Sequence, residues 1–362
     1  MLIYLIVFFL STVLLKLSES QSRRFSCLAV IALLLPALLA GARDVTIGTD
    51  TEPYFLVYEN VKLADSLFEL LLLSNAELFF GVLSYIAAPL GGFPFLLFIY
   101  QGLTILFVYL AAYKYRQYLP VWLAIFLYFC FFYNISLNIM RQCLAITYVL
   151  YISTLLFEHK TKRFFIFSLF SVCFHTSAIL GCLFVYIIYR LSNMHGRQRI
   201  VATSLFLLFV CVALLSYNKI ILLISSIKFG RLYAYTAYME GGDFDGALSI
   251  TDLFFRFVFF LFLLYTSHNK LIKSNLAFIY GLLIVLEFLL LLLGVYSKFA
   301  YRVVLYLTIY HTLFLPLIAN SKRFTYKSVY LLEFAIMLLG MAYWLWIIVY
   351  RGTSMTVPYE FA

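Results

Sequence analysis

Residues 119–157 read LPVWLAIFLYFCFFYNISLNIMRQCLAITYVLYISTLLF. Two apolar runs, 119–134 and 143–157, flank a short corner that holds Arg141 and Gln142. Each run approaches the roughly 20 residues that carry a helix across a bilayer. A permanent cation at mid-membrane costs about 2.5–3.5 kcal/mol on insertion scales, so its presence here asks for a reason.

The same apolar character runs through the chain. Its 362 residues are 65% hydrophobic and only 12% charged, about half the charge of a typical soluble domain. Further apolar runs lie at 2–15, 25–42, 93–113, 200–217, 250–267, 275–295, 303–319 and 328–350. The fold class read from this pattern is an all-α polytopic integral membrane protein. About 10–12 transmembrane helices are expected, some of them short or re-entrant. No polar stretch is long enough for a separate soluble domain. Residues 1–362 are therefore read as a single multispan membrane domain, with outer loops at about 43–75 and 217–248.

Two segments are irregular. Residues 77–90 are apolar but short, and GGFPF separates them from the next run. Residues 164–189 are bracketed by basic loops on both sides. Two full crossings would need about 40 residues, and one crossing would break the charge pattern. The spacing predicts a pair of short helices that turn near Phe174-His175-Thr176-Ser177. Irregular backbone at that depth must be buried in protein or line a wet cavity. The stretch RRFSCLAVIALLLPALLAGA, 23–42, mimics a signal peptide, but it is internal and follows another apolar run, so it reads as a second span. Six cysteines without a CxxC pairing read as small buried hydrophobes.

The formal net charge is +10. Sixteen of the 26 Lys and Arg fall in six short loops, at 16–24, 114–116, 160–163, 190–199, 270–273 and 322–327. That is the positive-inside pattern, which places these loops in the cytoplasm. The basic excess is thus a topology signal, and no nucleic acid partner is expected. Residues 43–75, 134–142, 217–248 and 296–302, the tail from 351, and both termini then face outward.

Cations in the outward segments are the unexpected charges. Arg141, followed by Gln142, sits at or below the outer membrane surface on this reading. It could snorkel or pair with a carboxylate; it could equally bind an anion at the mouth of a cavity. Its planar fork suits phosphate oxygens and keeps its charge when desolvated. Lys298 and Arg302 flank Tyr301 in GVYSKFAYRVVLYL, one turn apart at a helix start where free N–H groups favour anions. Arg256 lies one turn beyond Asp252, an arrangement that suits an i, i+4 ion pair. Arg231 stands among tyrosines and acids in the largest outer loop, a mixture suited to sugar rings or to a simple interfacial loop. Asp50 and Glu52 flank a turn in RDVTIGTDTEPYFLVYENV, and either could act as a base toward a sugar hydroxyl. His175, at the proposed turn, could accept a proton, bind a hydroxyl, or be a satisfied core histidine. No metal-spaced cluster or nucleotide-binding motif is present, so neither metal nor cofactor is expected.

Four stretches in order carry a resemblance: GTDTEPY (48–54), MRQCLA (140–145), SVCFHTSAIL (171–180) and YSKFAYRVVLY (296–306). In their order and multispan setting they resemble the EpsG/Wzy family of polysaccharide polymerases. The resemblance implies a glycosyltransferase C-like membrane enzyme in the bacterial inner membrane, with its active site facing the periplasm. Such enzymes join oligosaccharide repeat units carried on undecaprenyl pyrophosphate, without a nucleotide sugar. Partners implied are the lipid-linked oligosaccharides, membrane lipid, a chain-length regulator and a flippase. On this reading Arg141 clamps the pyrophosphate with Gln142, Lys298, Tyr301, Arg302, Arg231 and Arg256 as substrate contacts. Asp50, Glu52 or His175 deprotonates the acceptor. A lipid-linked oligosaccharide flippase and an O-antigen ligase are the alternatives. The flippase is disfavoured by the lack of an internal repeat.

Overall fold

The computed structural model describes residues 1–19, 25–62, 69, 77–217, 219, 223, 250–269, 272–295, 302–320 and 326–362. Among them eight helices are long and apolar enough to cross a membrane, and four shorter apolar helices accompany them: Leu2–Ser18, Cys27–Gly41, Leu78–Leu90 and Ala178–Ser192. The chain is an all-α polytopic membrane protein. It divides into two compact units, Met1–Cys182 with Ile309–Ala362, and Leu183–Thr308.

In the first unit, Val121–Asn138 and Met140–Phe157 form the centre, with 89% and 78% of their spanning windows buried. Neither shows a segregated polar face, which follows from that position, since a helix packed on every side has no such face to keep. Gly92–Lys114 packs against Cys27–Gly41 and Met140–Phe157. Gly41 permits the close approach: a Cβ there would meet the Pro94 carbonyl oxygen at 2.9 Å. Pro36 lies inside Cys27–Gly41 and has no N–H to give the carbonyl four residues back. The Ser11 hydroxyl supplies that bond, donating to the Ala32 oxygen at 2.6 Å.

Val121–Asn138 carries a π turn at Phe129–Tyr133. The turn is followed by Asn134, which is buried and bonded through both its amide nitrogen and its amide oxygen. It donates to the Thr356 hydroxyl at 2.9 Å and accepts from the Trp344 indole at 2.8 Å. A second polar knot joins Gln101, Tyr128 and Ser136 through bonds of 3.0–3.1 Å. Buried polar groups of this kind hold only because each finds a partner.

Charged side chains and loop contacts gather at two separate places in this unit. At one, Lys114 and Lys160 both reach Glu158 at 2.7 Å, and the Glu19 carboxylate accepts the Trp122 N–H at 2.9 Å. The two ammonium groups hold the Glu158 carboxyl below its ordinary value. At the other, the tail returns onto residues 42–48. Asp44 N–H donates to Glu360 O, Gly48 N–H to Met355 O, and Ala362 N–H to Ala42 O. Arg43 is buried beside them and donates to the Leu137 carbonyl at 2.8 Å. Burial pushes its guanidinium down to about 10, still far above neutral pH.

Residues 51–62 depart from the expected loop: Thr51–Lys62 is a helix. Thr51, Tyr54, Tyr58 and Val61 are its buried residues, spaced three, four and three apart along one face. Tyr54 and Tyr58 join a core cluster with Phe80, Phe93, Leu96, Tyr100, Met140 and Leu144. The predicted break in 164–189 is present, since Thr161–Phe174 ends and Ala178–Ser192 begins on either side of His175–Ser177.

The second unit holds Gly196–Leu215, Ile250–His268 and Ser274–Leu291. Ile250–His268 packs along Ser274–Leu291. Between them Arg256 is buried with two carboxylates: Asp252 at 3.5 Å and Glu287 at 3.3 Å. It also reaches the Thr308 hydroxyl at 3.4 Å.

Candidate active site

The corner between the two central helices sets the position of Arg141. The helix from Val121 ends at Asn138, and Ile139 leaves helical geometry with φ −97° and ψ 55°. Met140 starts the next helix, so Arg141 lies in its first turn. A cation there opposes the helix dipole. Glu77 offsets it. The Arg141 Nη1 donates to the Glu77 Oε2 in a short ion pair.

Glu77 immediately precedes Leu78–Leu90, in extended conformation, and is 7% exposed. The Arg141 guanidinium also lies 4.9 Å from the Tyr54 ring centre and 5.5 Å from that of Phe80. Such stacking on aromatic faces stabilises a desolvated guanidinium. Two buried donors remain without hydrogen-bond partners: the Arg141 Nε and the Tyr100 hydroxyl. Tyr100 packs against the rings of Phe79 and Phe80, at 5.8 and 6.0 Å. Buried donors without acceptors are uncommon and mark a place where a group can bind.

His175 reaches the same carboxylate from the helix break, its Nε2 standing 3.8 Å from the Glu77 Oε1. The Ser177 backbone N–H donates to its Nδ1 at 3.2 Å, and the Ser177 hydroxyl lies 2.7 Å from that nitrogen. A backbone N–H can only donate. The neutral ring therefore carries its proton on Nε2, facing Glu77. Gln142 points to the same turn, its Nε2 3.5 Å from the Ser177 Oγ. Adjacent residues on one helix thus reach two separate parts of the site.

Asn138 ties the first outer segment to this corner. Its Oδ1 accepts the Asp50 N–H at 2.8 Å and the Thr49 hydroxyl at 3.0 Å. The Asp50 carbonyl in turn accepts the Tyr54 N–H at 3.2 Å, which starts the helix that presents Tyr54 to Arg141. Asp50 is half-buried, and Glu52 is exposed in the first turn of that helix.

The structure therefore gathers Arg141, Gln142 and His175, and holds Asp50 one helical turn from Tyr54. Arg302, half-buried at the start of a short 3-10 turn, and Arg256, in its ion-pair triad, belong to the second unit. Lys298, Tyr301 and Arg231 lie outside the described residues. Sequence reasoning passed over Glu77, the residue at the centre of the cluster. Its signal was a carboxylate opening an apolar stretch, ELFFGVLSYIAAPL. Such a charge is a functional candidate by its setting alone. Among the described residues no three His, Cys, Asp or Glu side chains converge to hold a metal ion.

The family model described as EpsG family matches residues 26–361. No curated protein sequence matches the chain, and neither does any solved structure. With nearly its whole length matched, the chain belongs to the EpsG family, which points to a polymerase-type role in polysaccharide biosynthesis.

Proposed function

We propose that this member of the EpsG family is an O-antigen or exopolysaccharide polymerase of the bacterial inner membrane. It joins oligosaccharide repeat units, carried on undecaprenyl pyrophosphate, at the periplasmic face. The growing chain passes from its lipid to a sugar hydroxyl of the next lipid-linked unit. One observation carries this reading. Arg141 sits between long apolar helices with a buried, unpartnered Nε, next to a second unpartnered donor on Tyr100. A lipid-borne diphosphate brings oxygen acceptors to that depth because its own tail anchors it there.

The chemistry follows from where charge develops. As the bond from the anomeric carbon to the diphosphate oxygen breaks, negative charge accumulates on that oxygen. A preorganised guanidinium stabilises it more than it stabilises the ground state. The acceptor hydroxyl must also lose its proton. Of the three groups expected for that task, His175 stands at the Arg141 site, through Glu77, whereas Glu52 is exposed. Asp50 belongs to the loop pinned by Asn138 and serves the acceptor side. Lys298, Tyr301, Arg302, Arg231 and Arg256 remain proposed substrate contacts. A chain-length regulator and a flippase are the proposed partners.

The test uses the full chain purified into lipid nanodiscs and supplied with lipid-linked repeat units from a strain lacking this protein. Elongation into a ladder without added nucleotide sugar is the expected result. Recovery of unchanged single units at every enzyme concentration would overturn the reading.

A further inference from the structure

We propose that Glu77 is the proton acceptor of the transfer, and that donor diphosphate switches it on by drawing Arg141 away from it. The inference rests on the polymerase reading above. It starts from the pairing of the three side chains. Glu77 Oε2 is occupied by Arg141 Nη1, and Oε1 faces the His175 Nε2 at 3.8 Å. The His175 Nδ1 already accepts the Ser177 N–H, so the neutral ring has no lone pair left for a sugar hydroxyl. His175 is therefore a positioning residue, and the carboxylate it faces is the base.

In the state described, that base is masked. Arg141 Nη1 occupies its Oε2, so the lone pair that a proton would take is engaged. Arg141 is also the group a diphosphate would seek. Its Nε–H and the Tyr100 hydroxyl are buried donors with no partner, so phosphate oxygens that engage the guanidinium gain two further donors as the ion pair opens. Arg141 is the more exposed member of the pair, at 26% of its side chain against 8% for Glu77. A ligand thus approaches the arginine first. As the guanidinium turns to the phosphate oxygens, Glu77 is left buried without its cation. A carboxylate in that setting gains by taking a proton.

The step balances. The acceptor O–H bond breaks and its proton goes to Glu77. The acceptor oxygen forms its bond to the anomeric carbon, and the bond from that carbon to the diphosphate oxygen breaks. The electron pair leaves on the lipid diphosphate, held by Arg141. When the lipid diphosphate departs, Arg141 returns to Glu77 and the proton passes to water. The base is thus armed only while a donor is bound, which prevents an activated site from working on an acceptor alone.

The experiment compares wild type, Glu77→Gln and His175→Asn in nanodiscs, with a polyprenyl diphosphate and inorganic pyrophosphate as separate probes. Because Glu77 competes with the donor for Arg141, Glu77→Gln is expected to bind polyprenyl diphosphate at least threefold tighter while single-turnover elongation falls at least 100-fold. His175→Asn is expected to lower turnover about tenfold with unchanged affinity. A merely structural ion pair would give the opposite for Glu77→Gln, weaker binding, and that result overturns the switch. Retained turnover in Glu77→Gln overturns it as well. If Glu77→Gln fails to fold, Glu77→Asp replaces it, with tighter binding and measurable residual turnover expected and weaker binding overturning the switch. Inorganic pyrophosphate is expected to bind more weakly than the lipid form; binding of the inorganic form alone would overturn a lipid donor. Wild type that elongates the lipid-linked unit but shows no change in Glu77→Gln rejects the switch and leaves the polymerase reading intact. Wild type that binds neither probe rejects both.

Discussion

Glu77 and Arg141, 64 positions apart, form a short ion pair at the head of two different helices. The pair places a guanidinium and a partly enclosed carboxylate against Tyr54, Tyr100 and His175. The geometry of this one contact organises the candidate site.

Arg141→Lys keeps a positive charge but loses the planar fork and the stacking on Tyr54 and Phe80. Elongation is expected to fall by roughly 10²–10³-fold, the scale seen when one charge-stabilising donor is removed. Initial rates at matched protein level check this. The fall should appear in kcat, since the lost interaction is strongest as the diphosphate leaves.

Asn138→Ala removes the acceptor of both the Asp50 N–H and the Thr49 hydroxyl. Both donors are only partly buried, so the loss costs about 0.5–1.5 kcal/mol, the net worth of an ordinary hydrogen bond. Thermal unfolding in detergent should show modest destabilisation. Elongation should fall further than stability does, because the Tyr54 helix loses its anchor to the Arg141 corner.

Arg256→Leu leaves Asp252 and Glu287 facing each other in the interior of the second unit. Removing one partner of a buried ion pair costs about 3–5 kcal/mol. The variant is expected to express poorly. Arg256→Leu combined with Asp252→Asn and Glu287→Gln should recover much of that loss, as measured by the yield of folded protein. Recovery of fold with loss of elongation would mark Arg256 as a substrate contact as well.

The Glu158 carboxyl is held below its ordinary value by Lys114 and Lys160. A depressed carboxyl contributes stability above its unfolded value and loses it as pH falls through the folded one. The hairpin at Phe157–Thr161 should therefore loosen only under acid conditions, below the usual carboxylate range. Because the group is partly exposed, added salt should weaken the same contribution. Hydrogen exchange of residues 155–163 against pH, in wild type and Glu158→Gln, reads this directly; the variant should show no such pH step.

The helices were legible because lipid and protein interior both demand apolar residues, so run length alone locates most spans. The break at His175 was legible from length as well, since 164–189 is too short for two crossings and its flanking charges forbid one. Arg141 stood out as a cation between two spans. The helix at Thr51–Lys62 was hidden by its Gly-, Pro- and acid-rich start, although Tyr54, Tyr58 and Val61 carry helical spacing. Glu77 was hidden for another reason. A carboxylate opening an apolar stretch marked it, but its partner Arg141 lies 64 positions along the chain and no local pattern names such a partner. Arg256 shows both sides: Asp252 one turn away was readable as its partner, and Glu287 on the next helix was not.

The most direct test of the central claim is a gel of surface polysaccharide from a deletion strain, complemented with wild type and with Arg141→Ala at equal expression. The account predicts that deletion leaves lipid A core carrying a single repeat unit, that wild type restores the ladder, and that Arg141→Ala does not. A full ladder with Arg141→Ala, or loss of even the single capped unit on deletion, would contradict it.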